Sequence, residues 1–231
     1  PYGAGTVFSS FSPYLTMIRA AVGIKGTRTG QLLSALIYKL KQGQGPPPRW
    51  RAMEMFRESR VSADAPSMRA VYAHFEHNLL DICRTAHRAG AQTLLCTVGV
   101  NLRSNPPFAS VHRADLTARD AALWQTLYDS GVSLADAGRC PEALESLRRA
   151  AAIDDHYADL QYHLARCYWR SGEYEEGRER FALANEWDAL RFRADRTINQ
   201  VIRHAAAQNV QLGVDLVDMD LACRTNESTQ H

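Results

Sequence analysis

Aromatic and basic side chains recur at helical spacing in the second half of the chain. Residues four, seven and eight positions apart lie on one face of an α-helix. One such face consists of Tyr162, Arg166, Trp169 and Arg170, and Tyr128 and Val132 stand 34 residues before its first two members. Rings and guanidinium groups on one surface suit a peptide, an acidic chain end or a saccharide. The alternative is that these side chains pack against the rest of the protein.

Polar side chains also follow two apolar runs that read as strands. Asn101 and Arg103 come directly after the run Thr93–Val100, and Asp218 ends the run Asn209–Asp218. Proteins with α/β folds place functional groups at the carboxyl ends of their strands. We therefore expect these three side chains to line a substrate cleft, as polar contacts and not as catalysts. Loop or capping roles are the alternative for Asp218 and its neighbours Asp215 and Asp220.

No motif in the sequence supplies a catalytic centre, a cofactor site or a metal site. No serine lies in a Gly-Asp-Ser or Gly-x-Ser-x-Gly context, and neither a phosphate-binding loop nor a dinucleotide fingerprint is present. His74 and His77 are three residues apart on one helix but lack a third ligand. The five scattered cysteines have no metal-ligand spacing and read as buried free thiols. We expect no catalytic residue, cofactor or metal in this chain.

Hydrophobic periodicity gives the elements that position these residues. Ser67–Arg88 predicts an amphipathic helix before the strand Thr93–Val100, and residues 192–207 predict a helix before the strand Asn209–Asp218. Each pair is half of a βαβ unit, with the strands parallel and covered by helices on both faces. Because two parallel strands alone do not form a stable sheet, the pattern predicts further strands outside an internal fragment of a longer protein.

Between the two helix–strand pairs the sequence repeats with a 34-residue period. The matched pairs are Gly131 and Ala165, Leu134 and Tyr168, Gly138 and Gly172, Ala143 and Gly177, Leu147 and Phe181, Ala150 and Ala184, and Asp154 and Asp188. This pattern resembles the tetratricopeptide repeat, a helix–turn–helix unit in which small residues let the helices cross closely. The resemblance implies repeats at residues 124–157 and 158–191, whose first helices line a concave groove. It places Tyr128, Val132, Tyr162, Arg166, Trp169 and Arg170 in that groove.

The flanking segments resemble, over shorter stretches, the SGNH/GDSL hydrolase superfamily, in particular bacterial members with such repeats inside the hydrolase domain. The resemblance is carried by Pro1–Val7, by Thr97–Arg103 with Pro106–Phe108, and by Arg191–Asp195 through Leu216–Asp218. It implies an ester hydrolase or acyltransferase whose catalytic Ser and Asp-x-x-His blocks lie outside this chain, so that the fragment alone is inactive. The rivals are a non-catalytic interaction module on an α/β platform and a transferase of another α/β family.

Composition limits the partners. An apolar content of 45% and a net charge of +2 are ordinary for a globular protein and favour neither nucleic acid nor a membrane surface. No run of eighteen apolar residues predicts a membrane span, and no feature indicates a compartment. We therefore expect a partial three-layer α/β/α domain with parallel strands, residues 1–115 and 191–231, interrupted by the repeats at residues 116–190. Its expected partner is a protein, a peptide or a polysaccharide in the groove.

Overall fold

The computed structural model describes residues 19, 23–24, 26–41 and 60–228. The chain divides into two compact units, Pro1–Ser59 and Arg60–His231. In the first unit the described residues include helix α1, Arg28–Lys41. Its first turn is capped by the hydroxyl of Thr27, which accepts a hydrogen bond from the Gly30 N–H at 3.1 Å. The Pro1–Val7 segment of the hydrolase resemblance lies outside the described residues.

The second unit is mostly helical over its described residues. Its helices are α2 Pro66–Arg88, α3 Ala118–Asp136, α4 Cys140–Ile153, α5 Ala158–Arg170, α6 Tyr174–Glu186, α7 Arg196–Gln208 and α8 Met219–Ser228. Its strands are β1 Thr93–Cys96 and β2 Val214–Val217, the latter preceded by a 3-10 turn at Val210–Leu212. Helix α7 begins later than residue 192 because Asp195 caps it, accepting from the Ile198 N–H at 2.9 Å.

Helices α3 to α6 form the two predicted helical hairpins. Gly138 and Gly172 make the turns within the hairpins with φ of 78° and 84°, a backbone conformation that glycine adopts without strain. Gly131 lets α3 and α4 cross closely, because a Cβ at this position would lie 2.6 Å from the Leu147 side chain. Fully buried side chains of both hairpins share one core, among them Trp124, Leu147 and Leu164. The two predicted helical hairpins are therefore present.

The two strands pair in parallel, with Thr93 opposite Val214 and Cys96 opposite Val217. Helices α2 and α7 cover one face of this small sheet, where Cys83, Leu95, Ile202, Ala205 and Val214 form a second core. On the opposite face, Leu94 is 61% exposed. The expected side-by-side, parallel arrangement of the two strand segments is thus present, but helices pack on only one face of the described sheet.

The prediction of a partial three-layer α/β/α domain is wrong. The described residues form a mostly helical structure with only these two short strands. The apolar runs are longer than the strands for two reasons. The side chain of Asn199 forms hydrogen bonds with both backbone groups of Val98, accepting from the N–H at 2.8 Å and donating to the carbonyl at 3.0 Å. Strand β1 therefore stops before Val98. At the other run, Gly213 adopts φ 71° after the 3-10 turn, so β2 starts only at Val214.

Candidate protein-binding groove

The first helices of the two hairpins, α3 and α5, carry the six residues predicted to line a groove, and we call the surface that these six residues form the groove. Tyr128 on α3 is half-buried, stacks on Trp124 at 4.7 Å, and donates its hydroxyl proton to the Asp159 carboxylate at 2.5 Å. Burial and this hydrogen bond raise the pKa of Tyr128 well above its ordinary value. Val132, one turn further, is also half-buried. Tyr128 therefore joins the two repeats, and its hydroxyl is already bound.

Asp159 is the acceptor at the centre of a small polar network. It also accepts from His163, whose Nε2 lies 3.5 Å from the carboxylate. Burial by itself raises the pKa of Asp159, but the hydrogen bonds from His163 and Tyr128 outweigh it and lower the pKa below the ordinary value. The carboxylate is therefore ionised at neutral pH and is occupied within the protein.

The aromatic residues of α5 face helix α6 and the open side of the groove. The rings of Tyr162 and Trp169 contact Phe181 of α6, with centroids 5.5 and 6.2 Å away. Both side chains are half-buried. Two guanidinium groups lie over the Trp169 ring, those of Arg103 at 5.0 Å and Arg178 at 5.8 Å from its centroid. Part of each ring thus supports the hairpin, and part remains on the groove surface.

A segment between β1 and α3, residues 101–113, crosses the repeats; we call it the strap. Its carbonyl at Arg103 accepts the hydroxyl proton of Tyr162 at 2.9 Å. Its Ser110 hydroxyl accepts from the Asp159 N–H at 2.9 Å, which caps α5 in place of Tyr157, whose side chain makes no capping bond. The strap therefore covers part of the groove and caps the N-terminus of α5.

Two buried aspartates, at equivalent positions of the two repeats, hold the rest of the strap. Asp188 accepts from the N–H groups of Phe108 at 3.0 Å and Ala109 at 3.1 Å. Asp154 accepts from His112 Nδ1 at 2.7 Å and, more weakly, from the Arg113 N–H at 3.4 Å. The sequence shows these two aspartates recurring at the repeat period, but sequence reasoning did not assign them a role.

Three arginines on the groove form no direct ion pair with a carboxylate among residues 60–228. Arg166 is half-buried on α5 and forms no direct hydrogen bond or ion pair with a described residue, although its charge contributes to the lowered pKa of Asp159. Arg170 is exposed and donates to the Ala135 carbonyl at 3.1 Å. Arg103 is exposed and lies over Trp169. The open part of the groove is therefore cationic and flanked by aromatic rings.

The structure separates the three residues predicted for a substrate cleft. Arg103 lies in the groove, whereas exposed Asn101 caps a turn of the strap by accepting from the Ser104 N–H at 3.0 Å. Asp218 directly follows β2, where it caps α8 by accepting from the Leu221 N–H and forms a two-point ion pair with Arg203 at 2.8 and 2.9 Å. The Arg203 guanidinium holds the pKa of Asp218 far below its ordinary value. The geometry at Asp218 is that of a helix cap neutralised by an arginine.

Comparison with known proteins supports the repeat and nothing beyond it. Residues 134–196 match the sequence model of the tetratricopeptide repeat family. No curated protein and no solved structure matches the chain. The chain thus contains a tetratricopeptide element, and such repeats typically mediate contacts between proteins. The resemblance to SGNH/GDSL hydrolases and the esterase activity that it implies find no support.

Metal-binding clusters and membrane-spanning helices are both absent from the described residues. No group of three or more histidine, cysteine or carboxylate side chains that could hold a metal ion occurs in the part of the chain that the structure describes. Within that same part, every helix is too short or too polar to span a bilayer. Buried His74 and exposed His77 lie on α2, where His77 Nε2 is 3.9 Å from the Asp81 carboxylate.

Proposed function

We propose that this protein is an interaction module whose tetratricopeptide pair binds an acidic segment of a partner protein. The observation that carries the proposal is the cationic surface around half-buried Arg166, which forms no direct hydrogen bond or ion pair with a described residue and interacts with the Asp159 carboxylate only at longer range. Because that carboxylate is already bonded to Tyr128 and His163, a carboxylate supplied by a ligand would give Arg166 the direct charge-assisted hydrogen bond that it lacks. Exposed Arg170 and Arg103 increase the positive potential around the same position.

The aromatic residues beside Arg166 favour a peptide as the acidic ligand. Tyr162 and Trp169 lie one turn to either side of it on α5 and offer apolar surface with polar edges. Interfaces between proteins are commonly centred on tyrosine, tryptophan and arginine. A segment that alternates carboxylates with apolar residues would meet both kinds of surface. A charged saccharide would use the cations alone, which makes the two partner classes separable by experiment.

The repeats are best placed in the chain as an insertion. We infer that residues 116–190 form the binding element and that residues 1–115 and 191–231 flank it. Two repeats are fewer than the roughly three that such arrays need for stability on their own. The contacts of the strap with Asp154, Asp159 and Asp188 supply part of the missing support. No contact of the described residues favours a catalytic role for the flanks.

The test is a binding measurement with designed peptides on the complete chain. The probe is a fluorescein-labelled peptide of alternating Glu and Leu, compared with its Gln and Leu counterpart by fluorescence anisotropy at low and high salt. We expect the acidic peptide to bind more tightly, with an affinity that falls as salt rises. Replacing Arg166 by Gln should weaken binding by about tenfold or more, the usual value of a hydrogen bond between charged groups.

The matched control is Arg149→Gln on α4, because Arg149 is an exposed arginine of the same repeat pair but lies on a second helix, away from the groove. This variant should bind like the unchanged protein. Equal binding of the acidic and neutral peptides, or equal losses in the two variants, would refute an acidic ligand at Arg166. Binding of a sulfated or carboxylated saccharide with no binding of either peptide would assign the groove to a polysaccharide.

A further inference from the structure

The strap is held on the repeats unevenly along its length. Between residues 108 and 113 its backbone N–H groups bond to Asp154 and Asp188, which are 1% and 3% exposed. Between residues 101 and 105 its hydrogen bonds to the repeats and their C-terminal flank are carbonyl contacts, to Tyr162 and to Arg193, at 2.9 and 2.8 Å. Residues 108–113 thus bond to almost fully buried carboxylates, whereas residues 101–105 hydrogen-bond to the rest of the protein through backbone carbonyls at exposed positions.

The weakly held part covers the aromatic end of the proposed binding surface. Arg103 places its carbonyl on the hydroxyl of Tyr162 and its guanidinium on the ring of Trp169. A backbone carbonyl and a side chain seated on these residues are the kinds of contact that a bound peptide would make there. Within residues 101–105 only Leu102 is half-buried and the other four residues are exposed, so moving this segment uncovers little of the protein interior. The chain therefore presents a segment of its own to the groove.

We propose that residues 101–105 are an internal competitor for the groove, which a partner segment displaces from Tyr162 and Trp169. This inference rests on the proposed function and adds a regulatory contact to it. The covered state lowers the apparent affinity by the fraction of molecules in which the strap is in place. Any change that loosens this end of the strap, and leaves the cation at Arg166 in place, should tighten partner binding.

Two variants loosen the contact from opposite sides. Tyr162→Phe keeps the ring on Phe181 but removes the hydroxyl that binds the Arg103 carbonyl. Arg103→Gln removes the guanidinium from the Trp169 ring. Each contact stabilises the covered state only modestly. Each variant should therefore make backbone amide hydrogen exchange at residues 103–105 about two- to tenfold faster. The control is Arg113→Gln, which removes an exposed guanidinium from the strap outside the competing part.

Binding of the Glu–Leu peptide is then measured at high salt, where the loss of a surface charge has little effect. We expect about two- to tenfold tighter binding in Arg103→Gln and Tyr162→Phe, unchanged binding in Arg113→Gln, and faster exchange at residues 103–105 when peptide is added. Weaker binding in Arg103→Gln, or slower exchange of these residues on adding peptide, would show that the strap is part of the binding surface and would overturn the inference. Such results would leave the Arg166-dependent binding intact, whereas no binding by any variant would refute the proposed function itself.

Discussion

Replacing Asp188 by Ala is the strongest available test of how the repeat pair is stabilised. The carboxylate accepts hydrogen bonds from the backbone N–H groups of Phe108, Ala109 and Leu190, at 3.0 to 3.1 Å. It also forms an ion pair with Arg193 at 3.0 Å, with side-chain exposures of 4% and 12%. The substitution therefore leaves one guanidinium and three backbone donors without their acceptor.

The magnitude follows from the burial of this cluster. Removing one partner of a buried ion pair typically costs about 3–5 kcal/mol, mostly because the other charge remains buried and uncompensated. The orphaned N–H groups would each add about 1–3 kcal/mol if no water reached them. Since the strap can move away and hydrate these groups, we expect a loss of about 3–5 kcal/mol in all. This is a large part of the roughly 5–15 kcal/mol that stabilises an ordinary domain.

The assay is urea unfolding followed by circular dichroism, with limited trypsin digestion of the folded protein as a second measurement. We expect a lower midpoint with an unchanged slope, and faster cleavage at the arginines of the strap once its bonds to Asp188 are lost. The control is Asp155→Ala, because the Asp155 side chain is 64% exposed and next to the equivalent aspartate of the first repeat. If the two variants lost equal stability, or if Asp188→Ala lost less than about 1 kcal/mol, the buried anchor would not stabilise the repeats.

Two further expectations concern close packing and charge. Gly131→Ala should destabilise the protein by about 1–3 kcal/mol in urea unfolding, because the new Cβ would overlap Leu147. At Gly177 a new Cβ would meet Trp169 at 3.3 Å. Gly177→Ala should therefore leave the stability unchanged or raise it by up to about 1 kcal/mol. The ion pair with Arg203 lowers the pKa of Asp218 from 3.8, so its stabilisation is present above about pH 4 and is lost as pH falls. Asp218→Asn should therefore lower stability at pH 7 and flatten the loss between pH 4 and pH 2; an unchanged acid limb in urea unfolding would contradict this.

The elements that the sequence predicted well are those with local causes. The hairpins follow from a 34-residue period of small and large residues. Helix α2 follows from a helical start signal at Pro66 and an apolar face after it. The parallel pairing of β1 and β2 also agrees with the sequence pattern, but the strand lengths do not. An apolar run indicates only which residues prefer burial, whereas its pairing depends on competitors such as the Asn199 side chain, which lies 101 residues from Val98.

The strap was missed because it has no periodicity to detect. Its residues form no helix or strand, and its bonds to Asp188 join positions 79 and 80 residues apart. One signal was present, namely an aspartate at the same position after the second helix of each repeat. An acidic residue that recurs at a structural period beside small, buried positions predicts a backbone acceptor. The partner of such an acceptor becomes known only when the fold brings the two segments together.

The two parts of the strap have opposite effects. One part stabilises the repeats, and the other lowers the affinity of the groove for a partner. The part fixed by Asp154 and Asp188 supplies hydrogen bonds that replace the support a third repeat would give. The part at Arg103 covers Tyr162 and Trp169, and so lowers the fraction of molecules that are open to a partner. A substitution that frees residues 101–105 should therefore lower thermal stability slightly and raise the affinity for a partner at the same time. A simple loss of folding would lower both, so the sign of the affinity change separates a displaced competitor from a damaged fold.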